Sequence, residues 1–265
     1  MKRYTIAGLM LLILFVASHF ALATTVPITL FAKPAALLNC SQVATPALWF
    51  DASGLVTTGT NSYGTTSGGA ISQWNDLSGN ANNATQATSA LKPTVQTSAQ
   101  NGLSGLRIAS ASSQVMALTS TVNFDSAYTI AAVVRRGGPT GTNTVEVFGA
   151  AASNPFMIEW YSDTILYSGN SSGFEVAVAE SSTGYNVVIA TITGTTGSIY
   201  YNGTDISNHF AVVGNYSVAA IAKIGFGDGS FMNGEIGEIC AYTSVLSGTQ
   251  VSQLQAGLKA KWATP

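Results

Sequence analysis

Charged side chains are scarce in this sequence: Asp, Glu, Lys and Arg make up 8% of its 265 residues. Basic residues number 10 against 12 acidic ones, and polarity comes instead from Ser, Thr, Asn and 27 glycines. Proteins that bind phosphate backbones or anionic lipid do so through clustered Lys and Arg. The composition therefore argues against nucleic acid as a partner.

Histidine is also rare, with 2 residues in the whole chain. No histidines and cysteines stand together at the spacing of a zinc site. One histidine, His209, follows the apolar N-terminal segment. If a histidine acted as a general base, it would have to be this one. Metal chemistry of the zinc type is therefore not expected.

Long apolar runs are limited to one, Ile6–Phe20, near the N-terminus. Lys2 and Arg3 precede it and the small residues of Ala21-Leu22-Ala23 follow it, which is typical of a secretory signal peptide. The run is too short for a membrane helix, and no second one follows, so we expect no membrane span. We predict a signal peptide over residues 1–23 and an exported protein that is secreted, extracellular or at the cell surface, with the periplasm as an alternative.

Only two cysteines are present, Cys40 and Cys240. An even number in an oxidising compartment predicts a disulfide bond. A second interpretation takes Leu37 to Cys40 as a lipid-attachment box, although Asn39 is a poor residue before such a cysteine and the apolar run ends far upstream. The disulfide is favoured.

After the predicted signal peptide, the sequence predicts one domain of short strands. Residues 24–43 lack periodicity and are predicted to be a tether or a first edge strand, and residues 44–265 to be the domain. Runs rich in Val, Ile, Tyr and Thr, such as Tyr128–Arg135 and Phe156–Tyr161, alternate with turns of Gly, Asn and Ser. Asn202-Gly203 marks a tight hairpin. This pattern predicts an all-β sandwich of antiparallel strands.

One helix is predicted, at the end of the chain. Ser247 and Gln250 have the spacing of a capping box. Apolar residues then recur every three or four positions, which gives one apolar stripe made of Val251, Leu254, Leu258 and Trp262. A short C-terminal helix against one side of the sandwich is expected.

Three segments occur in the order found in a known superfamily: ALWFDAS (Ala47–Ser53), SQWNDLSGN (Ser72–Asn80) and NGEIGEICAY (Asn233–Tyr242). Together they resemble the concanavalin A-like lectin/glucanase superfamily, in its laminin-G-like (LamG) bacterial and phage branch. The resemblance implies a two-sheet antiparallel jelly roll whose first and last strands are adjacent, which would bring Cys40 and Cys240 together. It also implies a non-catalytic module of secreted, surface or phage tail proteins.

Asp76, Asn80 and Asp228 are the candidate metal ligands, with calcium as the ion. Calcium takes six to eight oxygen atoms, and Asp76 and Asn80 are close in sequence. Asp and Asn also fold turns by hydrogen-bonding their side chains to nearby backbone. The segment with Asp76 and Asn80 supplies one carboxylate, which is little charge for a hard cation unless a distant loop such as that of Asp228 contributes. The turn is therefore favoured over the metal.

Glu159, Trp160, Tyr161 and Asn170 are the candidate ligand-binding residues. Alternation along the predicted strand Phe156–Tyr161 sends one row of side chains into the core and the other to the opposite face. An exposed aromatic ring beside polar groups suits the apolar face of a sugar ring. The alternative is that both rows of side chains on this strand pack inside the protein, between the sheets or under loops.

Catalysis is not expected. Glycanases of the superfamily carry two glutamates around an aspartate on one strand, and the nearest match here is Glu235-Ile236-Gly237-Glu238, without the aspartate. A spacing of three places the two carboxylates on opposite faces of a regular strand. We therefore predict a non-catalytic binding or adhesion module that recognises extracellular glycans. A structural or protein-interaction subunit of a surface or appendage is the alternative, and a glycoside hydrolase or lyase ranks last.

Overall fold

The structure, a computed structural model, describes residues 37–124, 127–137, 143–149, 156–161, 164–168, 178–179, 184–194, 196–207, 218–227 and 230–265. Leu37–Pro265 form one folded unit. Strands account for most of the regular structure in these ranges, and every strand pair is antiparallel, as for example in the long pair formed by Ala127–Arg136 and Asn186–Thr193.

The strands follow the chain in short segments. They are β1 (Leu48–Asp51), β2 (Gly59–Thr60), β3 (Gly64–Ser67), β4 (Ala70–Trp74), β5 (Ala84–Thr85), β6 (Thr94–Gln100), β7 (Leu103–Ile108), β8 (Met116–Phe124), β9 (Ala127–Arg136), β10 (Asn143–Gly149), β11 (Phe156–Tyr161), β12 (Thr164–Ser168), β13 (Val178–Ala179), β14 (Asn186–Thr193), β15 (Thr196–Tyr201), β16 (Thr204–Asp205), β17 (Val218–Ile224), β18 (Phe226–Gly227), β19 (Ser230–Phe231) and β20 (Gly234–Tyr242). The described ranges also contain two α-helices, α1 (Cys40–Val43) before the first strand and α2 (Gly248–Trp262) after the last.

One sheet is built around β20. Its neighbour on one edge is β9, which pairs in turn with β14, and β14 with β15 and β16. The other edge of β20 is shared, because β7 pairs with its N-terminal part and β1 with its C-terminal part. The first and last strands of the domain are therefore adjacent, as the resemblance implied.

The second sheet runs from β3 and β4 through β5 and β8 to β17, β10, β11, β12 and β13. Strands β6 and β7 connect it to the first sheet. The prediction of an all-β, two-sheet antiparallel sandwich with a short C-terminal helix is confirmed.

Two apolar layers hold the fold together, and alternation along the strands divides residues between them. On β9, Ile130, Ala132 and Val134 enter the main core between the sheets, where Trp74 is also fully buried. Ala131 and Val133 on the same strand face the other way, into a layer beneath α2. We call this second group of residues the helix-side layer.

Helix α2 forms as predicted. The Ser247 side chain accepts from the backbone N–H of Gln250, and the Gln250 side chain accepts from the backbone N–H of Ser247, which completes the capping box. The predicted stripe of four apolar residues is buried in the helix-side layer. Within the described ranges, no helix has the length and apolar character needed to cross a membrane. The predicted hairpin at Asn202-Gly203 also forms, because both residues adopt positive φ between β15 and β16.

Cys40 and Cys240 form the predicted disulfide bond, with their Cα atoms 5.9 Å apart. The alternative of a lipid attached at Cys40 is excluded in this state, because its sulfur is already bonded. The bond joins β20 to α1, where Asn39 caps the helical turn. Residues 40–43 are thus helical, and the predicted edge strand does not form there.

Candidate functional site

β20 contains an irregularity that changes which residues share a face. Its register with β9 shifts between Ile236 and Glu238, so Gly237 is the extra residue of a β-bulge. The prediction that Glu235 and Glu238 point to opposite faces is therefore wrong. Both side chains hydrogen-bond to residues of the helix-side layer.

Asp51 and Glu238 are direct partners across the β1–β20 pair. Like charges at such positions destabilise a sheet, since the side chains are close. The ammonium group of Lys261, from the end of α2, lies between them: Nζ is 2.5 Å from Asp51 Oδ2 and 2.7 Å from Glu238 Oε2. The two carboxylate oxygens that contact it are thus at most about 5 Å apart. We call Asp51, Glu238 and Lys261 the carboxylate pair and its bridging lysine.

Two indole groups complete the surroundings of Glu238. Trp49 Nε1 donates to Oε1 at 2.9 Å, and Trp262 Nε1 donates to Oε2 at 3.0 Å. The sulfur of Cys40 lies 3.5 Å from Oε1. These groups fix the orientation of a carboxyl that is 1% exposed.

Burial raises the pKa of Glu238 above its usual value, and the negative charge of Asp51 adds to the effect. The ammonium group of Lys261 and the Trp262 indole oppose it without cancelling it. For Lys261, burial lowers the pKa, but the two carboxylates outweigh burial and the net shift is upward. A carboxyl whose pKa is raised beside a second carboxylate is the arrangement that supplies general acids in enzymes.

A cavity of about 220 Å³ reaches this group. Its walls are Leu37, Leu38 and Asn39 from the segment before α1, and residues of the last turns of α2. Glu238 and Lys261 line it directly, whereas Asp51 lies behind the lysine. The protonatable carboxyl therefore faces a space into which a small ligand can enter.

A second polar cluster surrounds Glu235. Its Oε2 accepts from the Tyr185 hydroxyl at 2.8 Å and its Oε1 is ion-paired with Arg135. Burial raises the pKa of Tyr185, and the charge of Glu235 raises it further. The phenol is therefore a neutral donor and a poor nucleophile. Tyr185 also stacks on Trp262, with ring centroids 5.6 Å apart, so the two clusters share one layer.

Cys40, Cys240 and Glu238 also bring three potential metal-ligand atoms within 4.8 Å of one another. Metal binding by cysteine needs thiolates. Because the two sulfurs are bonded to each other, this group offers a metal one carboxylate in the oxidised protein.

The turn after Trp74 is organised by Asp76. Its carboxylate accepts from the backbone N–H groups of Trp49, Ser78 and Asn82, and from the Ser78 hydroxyl, at 2.8–3.1 Å. Asn80 Nδ2 donates to the carbonyl of Ala47 at 3.0 Å. These contacts are those of a folded turn that joins this loop to the start of β1. The calcium prediction stays a prediction, and Asp228 lies outside the described residues.

The predicted glycan-binding residues fall largely outside the described part. Strand β11 forms as predicted, between β10 and β12. The side chains of Glu159, Trp160 and Tyr161 on that strand lie outside the described residues, and so does Asn170. Their role in binding stays a prediction.

Sequence reasoning missed most of the carboxylate pair and its bridging lysine. The regular-strand argument discounts Glu238, and Asp51 enters only as part of the segment Ala47–Ser53. Lys261 lies C-terminal to the last of the three segments, Asn233–Tyr242. A signal was present, since the disulfide predicted between Cys40 and Cys240 already placed the two ends of the domain together.

Comparison with known proteins gives a fold. No protein-family model matches the chain. No curated protein matches its sequence either. Solved structures do match: an arabinofuranosidase complexed with arabinofuranosyl-α-1,2-xylobiose aligns over 82% of this chain and 63% of its own, at 14% identity and a TM-score of 0.58.

Two further structures have similar alignments. A mutant GH54 α-L-arabinofuranosidase soaked with 4-nitrophenyl α-L-arabinofuranoside aligns over 73% of this chain and 51% of its own, at 17% identity and a TM-score of 0.54. Trypanosoma rangeli sialidase in complex with sialic acid aligns over 82% of this chain and 34% of its own, at 13% identity and a TM-score of 0.50. The chain thus spans between a third and two thirds of these proteins, and the likeness shows a shared β-sandwich fold.

These neighbours correct the predicted function. The expectation of a non-catalytic adhesion module, and of no enzyme activity, rests in part on the resemblance to a branch of non-catalytic modules that share this sandwich. The same sandwich occurs in chains of glycosidases, so the fold does not support that exclusion. A second support, carboxylates on opposite faces of β20, is removed by the bulge at Gly237. The aspartate of the glycanase motif is still absent from Glu235-Ile236-Gly237-Glu238.

Proposed function

We propose that this protein is a glycoside hydrolase that acts on α-L-arabinofuranosides. The observation that carries the proposal is a pair of buried carboxylates, of which Glu238 lines a cavity and has a raised pKa, while Asp51 lies behind Lys261. The choice of sugar rests on the two arabinofuranosidase structures, whose TM-scores exceed that of the sialidase.

The spacing of the carboxylates favours a retaining mechanism. Retaining glycosidases hold their two carboxyl groups about 5–5.5 Å apart, and inverting ones about 6.5–9.5 Å apart. The oxygens of Asp51 and Glu238 that contact Lys261 are within about 5 Å of each other. This bound lies below the inverting range, which favours direct attack of one carboxylate on the sugar.

The roles of the two groups follow from their surroundings. Protonated Glu238 gives its proton to the glycosidic oxygen as the bond to the anomeric carbon breaks, and Asp51 Oδ2 forms the bond to that carbon. Water then replaces Asp51, and its proton returns to Glu238. Lys261 has to move away from Asp51 as the sugar enters, and its side chain, 31% exposed, has a path to solvent.

The test is release of 4-nitrophenol from 4-nitrophenyl α-L-arabinofuranoside. We expect turnover by the purified protein and a loss of about 10²–10⁴-fold in kcat for Glu238→Gln and for Asp51→Asn. Glu235→Gln is the matched control, because it alters another buried carboxylate of the same strand and face that does not line the cavity. Melting curves establish that each variant is folded.

Absence of turnover by the folded wild-type protein between about pH 4 and 8 overturns the proposal. Equal activity of wild type and Glu238→Gln does so too. Proton NMR of the first product formed tests the mechanism separately, since a retaining enzyme releases the α-anomer.

We also propose that the protein is exported after removal of residues 1–23, and that residues 44–265 are a LamG-like domain of the concanavalin A-like superfamily. The disulfide supports export, because such bonds persist in oxidising compartments. The adjacency of β1 and β20 supports the domain assignment. Mass spectrometry of the protein from the culture medium tests the cleavage site after Ala23.

A further inference from the structure

A second cavity lies on the other side of α2. It has a volume of about 590 Å³ and runs between α2 and the β15–β16 hairpin. We call it the hairpin groove, and its lining includes Tyr200, Asp205, Gln255, Lys259 and Ala260. This volume is in the range of sites that take a ligand of several rings.

Tyr200 supplies the groove with an aromatic surface. Side chains alternate along β15, so Tyr201 enters the main core while Tyr200 lies toward α2 and is half-buried. In the described part of the chain, no hydrogen bond is made by the hydroxyl of Tyr200 or by the side-chain amide of Gln255. An aromatic ring next to polar groups with unused hydrogen-bonding capacity is the combination that binds sugars.

The charge of the groove indicates a neutral ligand. Asp205 and Lys259 are its two charged lining residues, and they carry opposite signs. Lys259 Nζ already donates to the carbonyl oxygen of Asn202 at 2.7 Å, and Asp205 Oδ1 accepts from the backbone N–H of Ser207 at 2.9 Å. The groove therefore has no excess of positive charge with which to attract a carboxylated sugar.

The hairpin groove continues toward the carboxylate pair. Ala260 lines both cavities, and it is exposed with a small side chain. The next residue, Lys261, already contacts Asp51 and Glu238. The one residue that the linings of the two cavities share therefore has a small side chain.

We infer that the hairpin groove binds the distal part of a neutral oligosaccharide whose terminal sugar enters the cavity at Glu238. This inference rests on the proposed function for the chemistry at Glu238, and it adds that the substrate is an oligosaccharide held by Tyr200. A ligand as short as an aryl glycoside then fills the cavity and leaves the groove empty.

The experiment compares a long and a short substrate. With arabinofuranosyl-α-1,2-xylobiose we expect Tyr200→Ala to raise KM about tenfold, which is the loss of one aromatic anchor. With 4-nitrophenyl α-L-arabinofuranoside we expect kcat/KM to stay at the wild-type value. Ala256→Trp, which adds a ring to the hairpin groove at a residue that does not line the cavity at Glu238, is expected to act on the long substrate alone. Thr204→Ala, on the same hairpin but outside the groove, is the control.

Titration calorimetry with the Glu238→Gln variant measures binding without hydrolysis. We expect binding of arabinofuranosyl-α-1,2-xylobiose that Tyr200→Ala weakens, and no binding of a sialylated trisaccharide. Hydrolysis that is equally fast in Tyr200→Ala and wild type, for both substrates, overturns the inference and leaves the proposed function standing. If binding depends on Tyr200 but the protein hydrolyses neither substrate, the proposed function is overturned, and the hairpin groove still stands as an oligosaccharide-binding site.

Discussion

The indole ring of Trp262 lies directly over Gly237, so that a Cβ on this glycine would be 2.9 Å from the ring. The last residue of α2 thus packs against the one residue that breaks the regular pairing of β20. This contact fixes the end of α2 over the carboxylate pair and its bridging lysine. It also explains why glycine occupies the bulge.

We predict that Gly237→Ala lowers the free energy of unfolding by about 1–3 kcal/mol, because the added methyl group must displace the Trp262 ring. Denaturant unfolding measures the change. Gly248→Ala is the matched control, since a Cβ there meets nothing within 4 Å and the residue begins a helix. Equal stability of the two variants would contradict the packing argument.

The buried carboxyl of Glu238 makes stability depend on pH. Because its folded-state pKa is raised above the usual 4.5, the folded protein holds this proton more tightly than the unfolded chain does. The stabilisation is fully present below about pH 4.5 and is lost as the pH rises through the raised folded-state pKa. Glu238→Gln removes this dependence.

Unfolding free energies of wild type and Glu238→Gln, measured from about pH 4 to 8, check the sign. The stability of wild type relative to the variant should fall as pH rises. A relative stability that increases with pH in this window would show that the folded-state pKa is lowered.

The disulfide is expected to stabilise the domain substantially. Cys40 and Cys240 are separated by 200 positions, and the chain-entropy model gives about 4–5 kcal/mol for a loop of that size. The double variant Cys40→Ser/Cys240→Ser should melt well below wild type. Reductant should lower the melting temperature of wild type and leave that of the variant unchanged, and a reductant-insensitive wild type would contradict the bond.

Asp76 should be more important for stability than its place in a loop suggests. Its carboxylate satisfies three backbone N–H groups and a hydroxyl, so Asp76→Ala should cost about 2–4 kcal/mol. Asp205→Ala is the control, because that exposed carboxylate has one backbone partner, Ser207. Melting with and without calcium separates the turn from the metal prediction: a calcium-dependent rise in wild type that Asp76→Ala abolishes would assign the ion.

Structural elements that are determined by residues adjacent in sequence were predictable. The capping box at Ser247 and the apolar stripe that ends at Trp262 specify α2 within one segment. Asn202-Gly203 specifies its hairpin, because both residues tolerate positive φ. The disulfide followed from an even cysteine count together with the prediction of export. Each of these depends on a short stretch of sequence or on composition.

The candidate site was less predictable, because its parts are far apart in the chain. Asp51 and Lys261 are 210 positions apart and meet only when β1 and α2 pack against β20. The bulge at Gly237 depends on the register with β9, and the sequence Glu-Ile-Gly-Glu is compatible with a regular strand. A one-residue change of register moves a side chain to the other face, so the expectation for Glu238 was reversed.

The sequence by itself determined the periodicities, turns and caps, and through them an antiparallel sandwich with a terminal helix, because backbone conformation responds to adjacent side chains. Tertiary structure alone decided that two buried carboxylates meet at one partly exposed ammonium group. Burial of the carboxylates is costly unless a positive charge lies beside them, and only the packing of β1, β20 and α2, from both ends of the chain, brings Lys261 there. No local segment contains that information.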